Sequence, residues 1–260
     1  MTIHDSKWYV YKQDSCAKNF GIGLFEGPGY PDAVTQLPPA LASGSVGERR
    51  ISRAALEDER RERVLAAFTD VFAKRGYQAA TVDNLIASGK ISMGGFYNLF
   101  VGKEDCFVQV YDRAVELALV RVRLALPAGA DWATQATIGA RALVEFAAEQ
   151  PLAAKVIVLE AQTGGGEALR RYGDTVRELA AFLRRGRDEG KLGKGLPVNF
   201  EDSTASGLIW LLQTRLARGE LGDAQDLFPP IARIVLEPYL GPVRAERMLR
   251  AASDERAASR

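Results

Sequence analysis

Histidine is almost missing from this chain: His4 is the only one in 260 residues, and it lies near the start. Its scarcity excludes Ser-His-Asp and Cys-His catalysis and a histidine-rich zinc site, unless the first residues fold inward. Cysteine is nearly as scarce. Cys16 and Cys106 stand far apart with no metal-ligand spacing, which points to a reducing cytoplasm. No apolar run is long enough to span a bilayer and no signal-peptide pattern occurs, so neither a membrane span nor export is expected. A strong charge of either sign is also lacking: 34 basic residues face 33 acidic ones, a formal net charge of +1. Any affinity for nucleic acid must therefore come from a local patch. Lysine or carboxylate chemistry stays open in principle, but no spacing suggests it, and no catalytic residue, metal or cofactor is expected.

What the chain does have is an ordinary soluble composition, 47% hydrophobic and 26% charged, and helical periodicity over most of its length. The informative stretch runs from Thr81 to Lys103. Thr81 is suited to cap a short helix, with Asp83 at its positive end and Leu85 and Ile86 on its buried side. Ser88-Gly89-Lys90 breaks that helix. Ser92 then caps a second one whose apolar residues are Phe96, Leu99 and Phe100. Two short helices about a tight turn read as a helix-turn-helix, whose second helix enters the DNA major groove. Between Arg49 and Lys103 ten basic residues meet six acidic ones, a modest local surplus of the right sign.

Ile91, Ser92, Gly94, Phe96, Tyr97, Phe100, Lys103 and Glu104, with the helix exit Phe72-Ala73-Lys74-Arg75-Gly76-Tyr77, resemble the amino-terminal domain of the TetR family of bacterial transcriptional regulators. The resemblance extends from Arg60 to Tyr111; beyond it only helical pattern and length agree. It implies an all-α protein, with a three-helix helix-turn-helix domain over 49–105 and a helical ligand-binding and dimerisation domain over 106–241. A 1–48 extension precedes them, either poorly ordered or a small hairpin, and a charged helix or tail over 242–260 follows. Three positions depart from the family pattern. Lys90 stands where the turn usually has glycine, Gly95 doubles Gly94 within the reading helix, and Leu99 replaces a polar or aromatic residue.

For the DNA surface the resemblance and the chemistry nominate Thr81, Ser92, Met93, Gly94, Gly95, Tyr97, Asn98 and Lys103. Gly94 allows close approach of backbone to phosphate, and Tyr97 and Lys103 offer phosphate donors. Asn98 can pair with adenine, and Met93 can touch a thymine methyl. In the body, Trp132, Phe146, Glu160, Tyr172, Trp210 and Gln213 combine aromatic walls with polar groups, as ligand pockets and ordinary cores both do. The family pairs its last two main helices between subunits. Here Leu208, Leu212, Leu216, Ile231, Ile234 and Val235 supply apolar surface beyond what one inward face needs. The expected protein is a homodimeric repressor that binds a double-stranded operator and is released by a small-molecule effector. An all-helical enzyme, or a DNA-organising or interaction protein without a ligand, is the alternative.

Overall fold

The computed structural model describes residues 53–190 and 192–258. The expected 1–48 extension, with Arg49 and Arg50, lies outside the described residues. Among those described, every regular element is a helix. The helix-turn-helix unit comprises α1 (Arg53–Arg75), α2 (Val82–Gly89) and α3 (Met93–Leu99), followed by the start of α4 (Lys103–Ala125). The body continues with α5 (Trp132–Glu149), α6 (Pro151–Val158), a 3-10 turn (Glu160–Gln162) and α7 (Gly166–Arg184). A single turn, α8 (Gly186–Glu189), and a 3-10 turn (Gly193–Gly195) lead to α9 (Phe200–Arg218), α10 (Ala224–Leu240) and α11 (Pro242–Ala258).

Local chemistry accounts for most of these boundaries. On α1 Val64, Leu65, Phe68 and Phe72 recur on one buried face, and Gly76 at φ +79° ends the helix. Asp131 starts α5 by accepting a hydrogen bond from the Thr134 amide at 2.8 Å, and Pro151 occupies the first turn of α6. Gly219, in the left-handed region, closes α9. Helix α7 ends at Arg184, and Arg185, itself in helical conformation, separates it from the single turn α8; Gly186 packs so closely on the Trp132 ring that a Cβ there would lie 2.6 Å from it. Helix α10 begins at Ala224, capped by Asp223. Its Pro229 and Pro230 lie inside the helix rather than at its start, so two backbone donors are missing there.

Helix α1 packs on α2, α4 and α6, and α4 runs on to pack against α5, α6 and α7. The boundary expected at 105/106 therefore falls inside one continuous helix. Helix α10 lies against α5 and α11, and α9 against α7 and α6. Two aromatic clusters mark the two ends of the core. Phe68, Phe96 and Phe100 meet beneath α3, and Trp132, Phe182 and Tyr239 meet at the far end of the body.

Candidate nucleic-acid interface and ligand cluster

Helix α3 is held from below and open from above. Phe96 and Phe100 are fully buried against Phe68, with ring centroids 5.2–6.2 Å apart. Burial of two such rings contributes several kcal/mol, about 1.5–3 each by area, so the short helix is fixed by packing rather than by propensity. Ser92, Met93, Gly94, Tyr97 and Asn98 all lie on its exposed side. Tyr97 is 55% exposed, yet its ring meets Phe96 edge-on at 5.3 Å, which aims the hydroxyl outward from a braced base. A Cβ at Gly94 would meet nothing within 4 Å, whereas one at Gly95 would lie 3.3 Å from Ser92 Oγ. Gly94 therefore presents open backbone, and Gly95 is half-buried beneath the cap.

Thr81 and Ser92 are both spent on caps. Thr81 Oγ1 accepts from the Asn84 amide at 3.2 Å, while Asn84 Oδ1 accepts from the Thr81 amide at 3.3 Å, a reciprocal capping box. Ser92 Oγ accepts from the Gly95 amide at 3.0 Å. Lys103 differs from expectation. Its ammonium donates to the Tyr77 carbonyl at 3.0 Å and to the Ala80 carbonyl at 3.1 Å, 4.3 Å from the centre of the Tyr77 ring. Carbonyls left free by the turn after α1 draw it in, so Lys103 ties α4 to that turn instead of projecting toward phosphate. The exposed cation nearest α3 in the chain is Lys90, in the left-handed conformation at φ 51°, ψ 45° that the family fills with glycine. Its backbone amide closes α2 by donating to Ile86.

The six residues nominated for a ligand do not share one place. Trp132 is fully buried, its Nε1 donating to the Phe182 carbonyl at 3.0 Å and its ring meeting Tyr239 edge-on at 4.9 Å. It is a core residue of the far end. Phe146 is buried in the core as well. Trp210, by contrast, is 64% exposed on α9. Glu160 accepts from the Tyr77 amide at 2.8 Å and so faces the helix-turn-helix unit. Tyr172 and Gln213 do come together with Gln162. The Tyr172 hydroxyl lies 3.4 Å from Gln162 Nε2 and also bonds Gln213, which donates to the Val158 carbonyl. Burial pushes the Tyr172 hydroxyl above its ordinary pKa, against the two glutamines that pull it down. Around this polar group Ile157, Leu159, Val176, Leu179 and Leu221 are only partly buried, packed on Ala147, Ala154, Val158, Ile209 and Leu216. Together they form an apolar cluster with one polar edge between α6, α7 and α9.

Of the residues nominated for dimerisation, Leu208, Leu216, Ile231 and Val235 are buried within their own chain and Leu212 is half-buried. Ile234 is exposed on α10, and Trp210 is exposed on α9 among Ser203, Ser206, Gly207 and Ala217. Periodicity showed that both helices are rich in apolar residues. It did not show which of them the chain covers itself.

One group escaped the sequence reading. Glu201 is fully buried on α9, where it takes two hydrogen bonds from Arg187, at 2.7 and 2.8 Å, and one from the Tyr239 hydroxyl at 3.0 Å. Burial alone would raise the carboxyl, but these donors outweigh it and hold Glu201 below the usual carboxylate range. With Trp132 packed on Tyr239, this group joins α5, α8, α9 and α10 at the end of the body remote in sequence from the helix-turn-helix. A lone Glu after Asn199-Phe200 carries no pattern that foretells it.

Among the described residues, a helix-turn-helix on a helical body defines the fold. Residues 64–110, which span the helix-turn-helix, match the family described as bacterial regulatory proteins, tetR family. Over 80 residues it is 36% identical to the HTH-type transcriptional activator FasR of Mycolicibacterium smegmatis, covering 31% of this chain and 36% of that protein. The chain thus spans about a third of the length of that curated relative. The fold matches the regulator FadR of Bacillus subtilis in complex with stearoyl-CoA, at 18% identity and TM-score 0.58, over 70% of this chain and 99% of that one. The fatty acid degradation regulator FadR of Bacillus halodurans matches at 18% and 0.58, over 67% and 93%. A gamma-butyrolactone receptor matches at 15% and 0.58, over 76% and 96%.

Proposed function

We propose that this protein is a homodimeric, DNA-binding transcriptional regulator whose operator affinity answers to a long-chain acyl thioester. The observation that carries the reading is α3: a helix pinned by Phe96 and Phe100, with Ser92, Met93, Gly94, Tyr97 and Asn98 on its exposed side, ahead of α4, which continues into the body. Gly94 lets the helix approach phosphate, Tyr97 and Lys90 contact the backbone, and Asn98 and Met93 read base edges. Lys103 acts indirectly, by holding the turn that positions α2. Trp210 and Ile234 form the centre of the interface between subunits, where a large exposed aromatic is most valuable. Two reading helices must span successive major grooves, which requires such a dimer.

The partly buried apolar cluster beside Tyr172 and Gln213 suits an apolar chain with a polar head, and the fatty-acid regulators of the same fold favour an acyl thioester. Whether bound protein blocks or recruits transcription depends on where the operator lies relative to the promoter, so the sign of regulation belongs to the DNA.

The test is binding to DNA from beside the protein's own gene and to random DNA, at two salt concentrations, with and without stearoyl-CoA. The expected result is dimer-stoichiometric binding, about a thousandfold or more tighter to the cognate DNA, that stearoyl-CoA shifts. Equal, weak binding to both DNAs overturns the regulator reading. Selective binding that no acyl thioester alters overturns the ligand class alone.

A further inference from the structure

Two carboxylates cross between the helix-turn-helix unit and the body, each capping backbone on the other side. Glu160, in the 3-10 turn after α6, accepts from the Tyr77 amide at 2.8 Å, just past the end of α1. Glu104, in the first turn of α4, accepts from the Glu167 amide at 3.1 Å, in the first turn of α7. Between them the Gln78 side-chain amide donates to the Thr163 carbonyl at 2.9 Å. All three bonds end on the short stretch from Glu160 to Glu167. The N-cap residue of α7 is Gly165, which has no side chain with which to cap it. Glu104 supplies from α4 the acceptor that a capping residue would normally provide, and its charge suits a helix start.

The backbone is shaped for this approach. Gly165 stands at φ +100°, and a Cβ there would lie 2.6 Å from Glu104 Oε1; a Cβ at Gly164 would lie 2.5 Å from the Phe107 ring. The run Thr163-Gly164-Gly165-Gly166, which in sequence is only a helix break, thus clears room for α4. The same stretch is fastened at its other side to the apolar cluster. Ile157, Val158 and Leu159 directly precede Glu160, Tyr172 and Val176 follow in α7, and Gln213 of α9 donates to the Val158 carbonyl. Anything that spreads α6, α7 and α9 apart must move the backbone that carries Glu160.

We propose that Glu160, Glu104 and Gln78 form a clasp that sets the tilt of the helix-turn-helix unit on the body, and that an effector entering the α6–α7–α9 cluster acts by opening it. The effector step rests on the regulator reading above; the clasp does not. One bond alone would leave a pivot, whereas bonds to α4 and to the turn after α1 oppose rotation about either.

The experiment pairs Glu104→Ala with Glu160→Ala and reads three quantities. The first is the distance distribution between spin labels at Ala87→Cys on α2 and Ala181→Cys on α7, in a Cys16→Ser background diluted into unlabelled protein. The second is hydrogen exchange at the Tyr77 and Glu167 amides, and the third is the ratio of operator to random-DNA affinity. The clasp requires a broadened distribution and exchange faster by about tenfold or more at both amides. It also requires an operator affinity lowered by about tenfold with random-DNA affinity unchanged. If the double variant does not fold, Gly165→Ala combined with Glu160→Gln, the first driving a Cβ into Glu104, gives the same readings. An unchanged distribution overturns the proposal even where the amides exchange faster, because the carboxylates are then local caps only. If the unaltered protein shows no preference for its operator, the regulator reading fails, and the label distances by themselves decide the clasp.

Discussion

Glu178 lies half-buried on α7, and burial first, then the neighbouring Asp174 carboxylate, push its pKa up to about 7. In the unfolded chain the same group titrates near 4.5. Between those values the folded protein holds a proton that the unfolded chain has lost. Its contribution to stability is therefore complete below about 4.5 and is lost as pH rises through about 7. Glu178→Gln, which keeps the shape and removes the charge, should gain on the unaltered protein in urea midpoint from pH 5 to about pH 7 and level off above it. A constant difference over that range would mean that the carboxyl titrates normally. No sequence pattern marks Glu178. Its neighbours on the helix are ordinary surface charges, and only its approach to Tyr111 and Asp174 sets it apart. Tyr97 is the opposite case: chemistry and motif nominate it, and the structure leaves its ring braced and exposed.

At the scale of the element, the helix-turn-helix carries a departure that the fold absorbs. Lys90 adopts the left-handed conformation of a glycine, the sole described residue other than glycine to do so. Left-handed backbone costs an L-residue about 1–2 kcal/mol, partly offset in a Lys90→Gly variant by the greater freedom of the unfolded chain. Lys90→Gly should thus stabilise the protein by about 0.5–1 kcal/mol in urea unfolding. If Lys90 neutralises a phosphate, the same variant should weaken binding to all DNA and lower the salt slope by about 1 for each phosphate it leaves unneutralised. Stability unchanged or reduced would show that the Lys90 side chain holds the turn. The caps at Thr81 and Ser92 and the apolar faces of α1 to α3 were legible because each depends on residues three or four apart. The interior prolines of α10 and the close approach of Gly186 to Trp132 were not, since each is settled by packing against a distant element.

For the whole molecule the consequence lies on α9 and α10. Trp210 is 64% exposed and Ile234 46%, side chains that a lone subunit leaves in water. Trp210→Asp should convert the dimer to monomer in sedimentation, with thermal unfolding little changed and selective DNA binding abolished. A dimer that survives this change would place the interface elsewhere. Leu208→Asp makes the contrast, because Leu208 is buried within the chain and its replacement should unfold the subunit itself.

Sequence by itself determined the all-helical class, the position of the reading helix, and the residues on its outer face. Those follow from caps, glycines and periodicity, which act over one or two turns. Tertiary structure decided the rest. It drew Lys103 onto the carbonyls of Tyr77 and Ala80, buried Trp132 beside Tyr239, exposed Trp210, and turned Glu160 away from the body toward the helix-turn-helix unit. Each of these roles is set by a partner twenty or more residues away, or by how much surface other helices cover. Spacing within a segment carries no information about either.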